Sequence, residues 1–556
     1  MTHNDDLSRA HNSQSIGTHS VNRSQSLDSS TFSHLTRSAA VIKRIPRSAR
    51  QPCSALLSTL IDDAVRHVDS SDKWSSLMNF ASHVLQKPSR GGHKHNVGRL
   101  ICSRIAKWPN LSVDPIDNFG SSRRKGGSLS AEELRAKAAV SKLEDGNIRA
   151  AVRIICSSDE PAADSVATLN ALIAKHPDAP ADICFPNISL DGPFEPLQVS
   201  EDDVRKAVIS FPPGSSGSLD SLSPQHLKDM IGLDGSPELL PSLTSLVNLL
   251  LSGSLPDGIA KVIFGGNLIA LNKKGGGIRP ITIGDVYRRI AAKCANTFAL
   301  GRIGQALSPI QVGVGTKGGV ETAVHITRRY LEAISSTRDH VVVKLDFRNA
   351  FNSLRRDRML EAVAKYCPEI YAFCMKAYTC QPTIKFNDHS IISATGTQQG
   401  DPLGALLFCL ALQPVLEQVT SELNIGYLDD VTLGGAVYDV DNDVDMIRRE
   451  AGMLGLELND AKCEIIYTDH TDIDFNLYPS IGGFVHIAAD DSSLLGSPLC
   501  SGAGLNSVTG LLICCLETRH IVISSKINVF WPIPQVRVRD FGTPIAVWSS
   551  FRSTDF

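Results

Sequence analysis

Three valines in a row, Val341-Val342-Val343, lead into the alternation Lys344-Leu345-Asp346-Phe347. That pattern predicts a buried strand with Asp346 at its end. About 80 residues on, the short apolar runs Leu423–Gly426 and Val431–Leu433 flank Tyr427-Leu428-Asp429-Asp430, with glycines at 426, 434 and 435. This predicts a strand-turn-strand hairpin with two adjacent carboxylates at its tip. Between the two lies Thr395-Gly396-Thr397-Gln398-Gln399-Gly400-Asp401-Pro402-Leu403-Gly404, followed by the apolar run Ala405–Leu412. Asp401 suits an N-cap and Pro402 a first helical turn, so a helix is predicted to open there. Helical spacing also runs through Ala55–Val68, Trp74–Leu85, 131–143, 146–156, 162–175, Val320–Ile334 and Asp443–Leu454, the last stopped by Gly455. Ser130 followed by Glu133 fits a capping box. A hairpin joining neighbouring strands directly predicts an α+β fold with a mainly antiparallel sheet.

Composition adds bounds. The chain has 556 residues and is 42% hydrophobic, enough for a sizeable core and roughly two to four domains. Residues 1–50 are rich in Ser, Asn, His and Arg and read as a disordered tail. Residues 51–200 read as a helical N-terminal region with a basic linker at 120–127. Net charge is only -3, but it is unevenly spread: residues 1–150 hold 22 Lys+Arg against 13 Asp+Glu, and the rest hold 33 against 45. The basic part could track phosphates or be a solvated tail. Thirteen cysteines occur without a Cys-x-x-Cys or a Cys/His cluster at finger spacing. That favours a reducing, intracellular setting, nucleus and/or cytoplasm, and argues against a structural zinc site. The start, Met-Thr-His-Asn-Asp-Asp, is not a signal peptide, and no apolar run reaches about 18 residues, so no membrane partner is expected.

Adjacent acids at a hairpin tip repel each other, and a divalent cation is the usual remedy. Asp430 is also explained by a turn alone, and Asp346 by capping a helix over Asn349–Leu354. The ordered set of motifs settles the reading.

The set resembles the palm of a reverse transcriptase of the LINE-type (non-LTR) retrotransposons. Asp346 with Phe351 resembles the first palm motif, Gln399-Gly400-Asp401-Pro402 the second, and Tyr427-Leu428-Asp429-Asp430 the third. Leu268–Lys274 and Ile278-Arg279-Pro280-Ile281 resemble the fingers hairpin. Gly455–Asn459 with Lys462-Cys463 resembles the fourth palm motif, and Leu495-Gly496-Ser497-Pro498-Leu499 the primer-grip turn. Pro213-Gly214-Ser215-Ser216-Gly217, Asp220 and Pro224-Gln225-His226-Leu227 give the LINE flavour.

The resemblance implies a right-hand polymerase, with fingers at 201–300 and palm at 301–500. It implies an RNA template, a DNA primer or target DNA, and dNTPs as partners, with two Mg²⁺ ions (Mn²⁺ as a possible substitute) for phosphoryl transfer. Asp346 and Asp429 would bridge the metals, with Asp430 beside them and the Phe347 carbonyl as a further ligand. Lys273 or Lys274 and Arg279 would contact the triphosphate. Phe351 would exclude a 2′-hydroxyl by bulk, or be an ordinary core aromatic. Gln399-Gly400 would let backbone approach the template–nucleotide pair. Lys462 could protonate pyrophosphate. Leu495, Gly496 and Pro498 would grip the primer.

Only 56 residues follow Cys500, with no clear amphipathic thumb helices, so the thumb is expected to be truncated and 501–556 stay unassigned. Cys514-Cys515 and Trp531-Pro532-Ile533-Pro534 fit no domain, and neither an endonuclease nor an RNase H pattern is found. Two other readings remain: an inactive remnant that only binds nucleic acid, and an RNA-dependent RNA polymerase. Leu428 and Phe351 count against the second. Oligomeric state is not legible.

Overall fold

The structure is a computed structural model that describes residues 40–88, 96–108, 131–144, 146–156, 161–186, 195–232, 234–273 and 276–500. The Ser-rich tail up to residue 39, the linker at 120–127, Ser130, Lys274 and all of 501–556, including Cys514-Cys515 and Trp531–Pro534, lie outside the described residues.

Two sheets organise the fold. The smaller is built from β1 (Gly266–Asn272), β2 (Ile278–Gly284), β4 (Thr383–Phe386) and β5 (His389–Ile392), in the order β2-β1-β4-β5. Its β1–β2 pair is antiparallel in continuous register from Gly266↔Gly284 to Asn272↔Ile278, while β1 and β4 run parallel. The larger holds β3 (His340–Leu345), β6 (Leu423–Tyr427), β7 (Asp430–Ala436), β8 (Glu464–Tyr467) and β9 (Val485–Ala488), in the order β6-β7-β3-β8-β9. All its pairs are antiparallel except β8–β9, so both sheets are mixed and the larger is mainly antiparallel.

The valine run is now explained. Both faces of β3 are covered: Val341 and Val343 join the large core, and Val342 joins a second cluster with Ile425, Ile466 and Leu331. A strand buried on both sides has no polar face to alternate with. Helix Gly319–Ala333 covers the second face. The nearly all-apolar helix Gly404–Leu416 runs through the large core.

Helix bounds shift in instructive ways. The first helix runs Arg47–Arg66 rather than from Ala55, the second Ser71–Val84, and the later ones Ala131–Glu144, Ile148–Cys156 and Val166–Ala174. The expected helix at Asp401 begins instead at Gly404, with no side-chain cap. Asp401 serves both ends: its Oδ1 accepts from the Leu403 N–H at 3.0 Å, as expected of a residue opening a turn, and its Oδ2 pairs with buried Arg288 at 2.7 Å. The expected helix from Asp443 begins six residues earlier, at Val437, and runs to Met453. Asp443 lies inside that helix and accepts from the Thr420 and Ser421 backbone N–H groups at 2.7–3.1 Å. Gly455 does end that helix, and the Leu456 N–H returns to the Ala451 carbonyl at 2.9 Å. Among the described residues no helix is long and apolar enough to cross a membrane.

Candidate active site

Asp346 follows the last residue of β3. Its backbone N–H faces the Cys463 sulfur at 3.4 Å, and its carboxylate accepts from the Asn459 amide at 3.0 Å. The Asn459 N–H also donates to the Asp346 carbonyl at 2.8 Å. The carboxylate therefore does not cap the short helix Ala350–Ser353, whose N-cap is Asn349. It is held by the turn before β8, a contact between residues 113 apart. Asn459 is a site residue that the sequence reading placed in the fourth palm motif without giving it a role. Its signal was the motif after Gly455, where Leu456 and Leu458 are buried and Asn459 is left pointing at the acid.

The β6–β7 turn is a two-residue one, because Tyr427 pairs with Asp430. Leu428 and Asp429 form the tip, and Leu428 adopts φ 59. A leucine in the left-handed region costs energy that its surroundings must supply. Here Gln311 supplies it: its Nε2 donates to the Leu428 carbonyl at 2.9 Å, and its Oε1 accepts from the Leu428 N–H at 3.0 Å. Gln311 itself is fully buried and lies beside Gly426, where any Cβ would approach its Nε2 to 2.7 Å. Nothing in the expectation for this hairpin pointed to Gln311, because the contact spans 117 residues.

Asp346 and Asp429 line one pocket of about 490 Å³. Lys273, Arg279, Phe347, Phe351, Gln399 and Lys462 line the same pocket. So do Asn459, from the fourth palm motif, and Lys175, which lies outside the motifs. Asp430, Gly400, Leu495, Gly496 and Pro498 do not line it. Burial pushes the Asp429 carboxyl above its ordinary range, Asp346 adds repulsion, and Lys273 and Arg279 oppose. Asp430 is pushed up to about 6, first by loss of surrounding water, then by Asp429 and Asp346, with Lys344 opposing.

Phe351 stacks on Phe408, with ring centroids 4.8 Å apart. Its carbonyl accepts from the Thr397 N–H at 2.7 Å, which ties it to the Gln399 loop. Gly400 has φ +114, and a Cβ there would strike the Thr282 carbonyl. The close approach that this glycine permits is thus to β2, which the Gln399 carbonyl also joins through the Thr282 N–H at 2.7 Å. The expected primer-grip turn is a tight hairpin: Ser493–Leu494 pairs with Ser497–Pro498, and Leu495 and Gly496 both have positive φ, 49 and 80. Arg328 Nε anchors it by donating to the Pro498 carbonyl at 3.1 Å.

Among the described residues no group of three or more His, Cys, Asp or Glu could hold a metal alone. Two carboxylates on one pocket, disfavoured as a charged pair, still fit a hard cation that takes its other ligands from water and substrate phosphates.

Comparison with known proteins gives the class. Residues 271–497 match the family model described as reverse transcriptase (RNA-dependent DNA polymerase), so the chain carries a reverse transcriptase domain. Its curated relative is the retrotransposable element SLACS 132 kDa protein of Trypanosoma brucei gambiense, 26% identical over 283 residues. That match takes in 49% of this chain and 23% of the relative, so the chain spans about a quarter of that protein's length. Among solved structures, apo telomerase from Candida tropicalis, truncated of its C-terminal domain, aligns with 37% of this chain and 51% of its own, at 12% identity and a TM-score of 0.30. A second apo telomerase structure from that organism aligns with 37% and 44%, at 11% identity and the same TM-score.

Proposed function

We propose that this chain extends a DNA 3′ end on an RNA template as part of a retrotransposon. The observation that carries the reading is the meeting of Asp346, Asp429, Lys273 and Arg279 on one pocket inside the reverse transcriptase domain. Asp346 and Asp429, with the Phe347 carbonyl, would hold divalent metal, Mg²⁺ or Mn²⁺, whose charge would stabilise the attacking and leaving oxygens.

The chain's own residues do the positioning. Lys273 and Arg279 offer a point charge and a planar fork to the triphosphate. Asn459 fixes the Asp346 carboxylate and Gln311 fixes the turn that carries Asp429. Phe351, braced on Phe408, lies where a nucleotide sugar would rest and disfavours a 2′-hydroxyl. Lys462 is placed to hold a proton for departing pyrophosphate. Gln399 and Gly400 would face the template–nucleotide pair, and Leu495–Pro498 the primer, outside the pocket itself. Asp430 flanks the acids without lining the pocket.

The test is primer extension on an RNA template with dNTPs and Mg²⁺, wild type against Asp429→Ala. Extension that vanishes in the variant supports the reading. A soluble wild type that binds primer–template yet never extends it overturns it in favour of a remnant. Preference for NTPs over dNTPs would instead favour an RNA polymerase.

A further inference from the structure

Residues 161–186 precede the matched domain and form a strap across the site. At one end the Ala162 N–H donates to the Ala270 carbonyl on β1 at 2.9 Å, and Leu172 is fully buried among Leu268, Ile384 and Phe386 on the smaller sheet. At the other end Arg355 holds both carboxylate oxygens of Asp182 at 2.9 Å, and Tyr371 donates to the Pro186 carbonyl at 2.7 Å. Midway, the Asn349 amide donates to the Lys175 carbonyl at 3.0 Å, just past the helix Val166–Ala174. The strap is therefore pinned to the smaller sheet at one end and to the starts of helices Arg356–Tyr366 and Tyr371–Thr379 at the other, with Lys175 fixed beside the residues that follow Asp346.

The Lys175 side chain lines the catalytic pocket. Five cationic residues, Lys175, Lys273, Arg279, Arg348 and Lys462, line it with Asp346 and Asp429, and Arg348 also pairs with Glu457 at 3.3 Å. Neither Lys175 nor Lys273 nor Lys462 forms an ion pair with any described residue. Burial lowers the Lys273 affinity for its proton, and Arg279, Lys175 and Lys462 lower it further, with Asp346 opposing. The cations outnumber the two acids of the pocket, and an anion that joins them relieves their mutual repulsion. A triphosphate is the anion of matching charge and size for such a pocket.

We propose that Lys175, carried by the strap, is a triphosphate-binding residue of this pocket, so that the nucleotide site is completed by chain outside the matched domain. This rests on the polymerase reading. Its test uses the full chain: single-nucleotide extension with Lys175→Ala and Lys175→Arg, alongside the affinity for primer–template. The expected result for Lys175→Ala is a KM for dNTP raised about tenfold, the scale of one lost charge-assisted hydrogen bond. kcat and primer–template affinity should stay near wild type, and Lys175→Arg should restore most of the loss. Arg355→Ala, which frees one end of the strap, should raise KM as well.

An unchanged KM in Lys175→Ala overturns the proposal, as does a loss confined to primer–template affinity, which would make Lys175 a nucleic-acid backbone contact. If wild type never extends a primer, the polymerase reading fails first. The strap is then tested by fluorescent dNTP binding to the protein–primer–template complex in Ca²⁺: weaker binding by Lys175→Ala upholds it, and equal binding overturns it.

Discussion

Gln311 clamps Leu428 through both of its backbone polar groups, at 2.9 and 3.0 Å, and Leu428 is the residue immediately before Asp429. The clamp sits on a segment that runs parallel to β6, where the Val312 N–H donates to the Gly426 carbonyl at 2.8 Å. A left-handed leucine is held there because its N–H and C=O have no better partner. Replacing Gln311 by Ala leaves both groups to water and removes what fixes the turn. We expect a stability loss of about 1–3 kcal/mol and a fall in kcat of about 10²-fold, the cost of misplacing a reacting group by about 1 Å. Thermal unfolding and single-turnover extension measure the two effects. A kcat that is unchanged would mean that the turn keeps its shape without the clamp.

Asp429 should show the opposite trade. Its raised pKa means that the folded state disfavours its ionised form. Asp429→Asn removes that penalty and the activity together. The variant should be more stable at pH 7 by about 1 kcal/mol, or about 2–4 °C in Tm for a domain of 150–250 residues. The advantage should shrink toward pH 4, as the wild-type group takes up its proton. Melting curves at the two pH values decide it.

How much of this was legible follows from where each contact lies. The strands at Val341 and at the Asp429 turn were readable because their signals are local: a run of valines, an apolar–polar–apolar turn. The helix read from Asp401 starts at Gly404, although Asp401 does accept from the Leu403 N–H; its second oxygen reaches Arg288 across 113 residues, which no local pattern shows. The helix read from Asp443 starts at Val437, and Asp443 faces the Thr420–Ser421 backbone. Gln311 and Lys175 went unnoticed because the first reaches the site across 117 residues and the second lies outside the motifs; Asn459 stood in the fourth palm motif without a role of its own. The acids and the nearby cations were legible because the chemistry dictates their types.

The Arg288–Asp401 pair gives a third prediction. Both side chains are nearly fully buried, 2% and 3% exposed, and Tyr378 donates to the same Asp401 oxygen at 2.6 Å. Arg288 also donates to Gln398 and to the Phe264 carbonyl, so the pair ties the Gln399 loop to the core. Asp401→Ala leaves a buried guanidinium without its counter-charge and should cost about 3–5 kcal/mol. Asp401→Asn keeps an acceptor for Tyr378 and should cost less. Urea unfolding ranks the two, and equal costs would show that the charge adds nothing.

The last prediction concerns a pair away from the pocket. Asp285 caps the helix Val286–Leu307 by accepting from the Tyr287 N–H at 2.8 Å, and its other oxygen has no hydrogen-bond partner. Burial pushes it up to about 6, against the Tyr287 N–H and Arg289, which lower it. Asp220 beside it is raised by burial first and by Asp285 second. A carboxyl whose folded pKa exceeds its unfolded value of about 3.9 binds its proton more tightly when folded. Its contribution to stability is complete below about pH 4 and is lost as pH rises through about 6. The span from about 3.9 to about 6 corresponds to a loss of about 3 kcal/mol. Asp285→Asn keeps the capping oxygen and cannot ionise, so its stability should vary less over this window. Denaturant unfolding at pH 5 and pH 7.5 reads the difference: the variant should gain on wild type at the higher pH. An equal gap at both would show that water or Arg289 keeps Asp285 ionised at no cost, and that the pH dependence arises elsewhere.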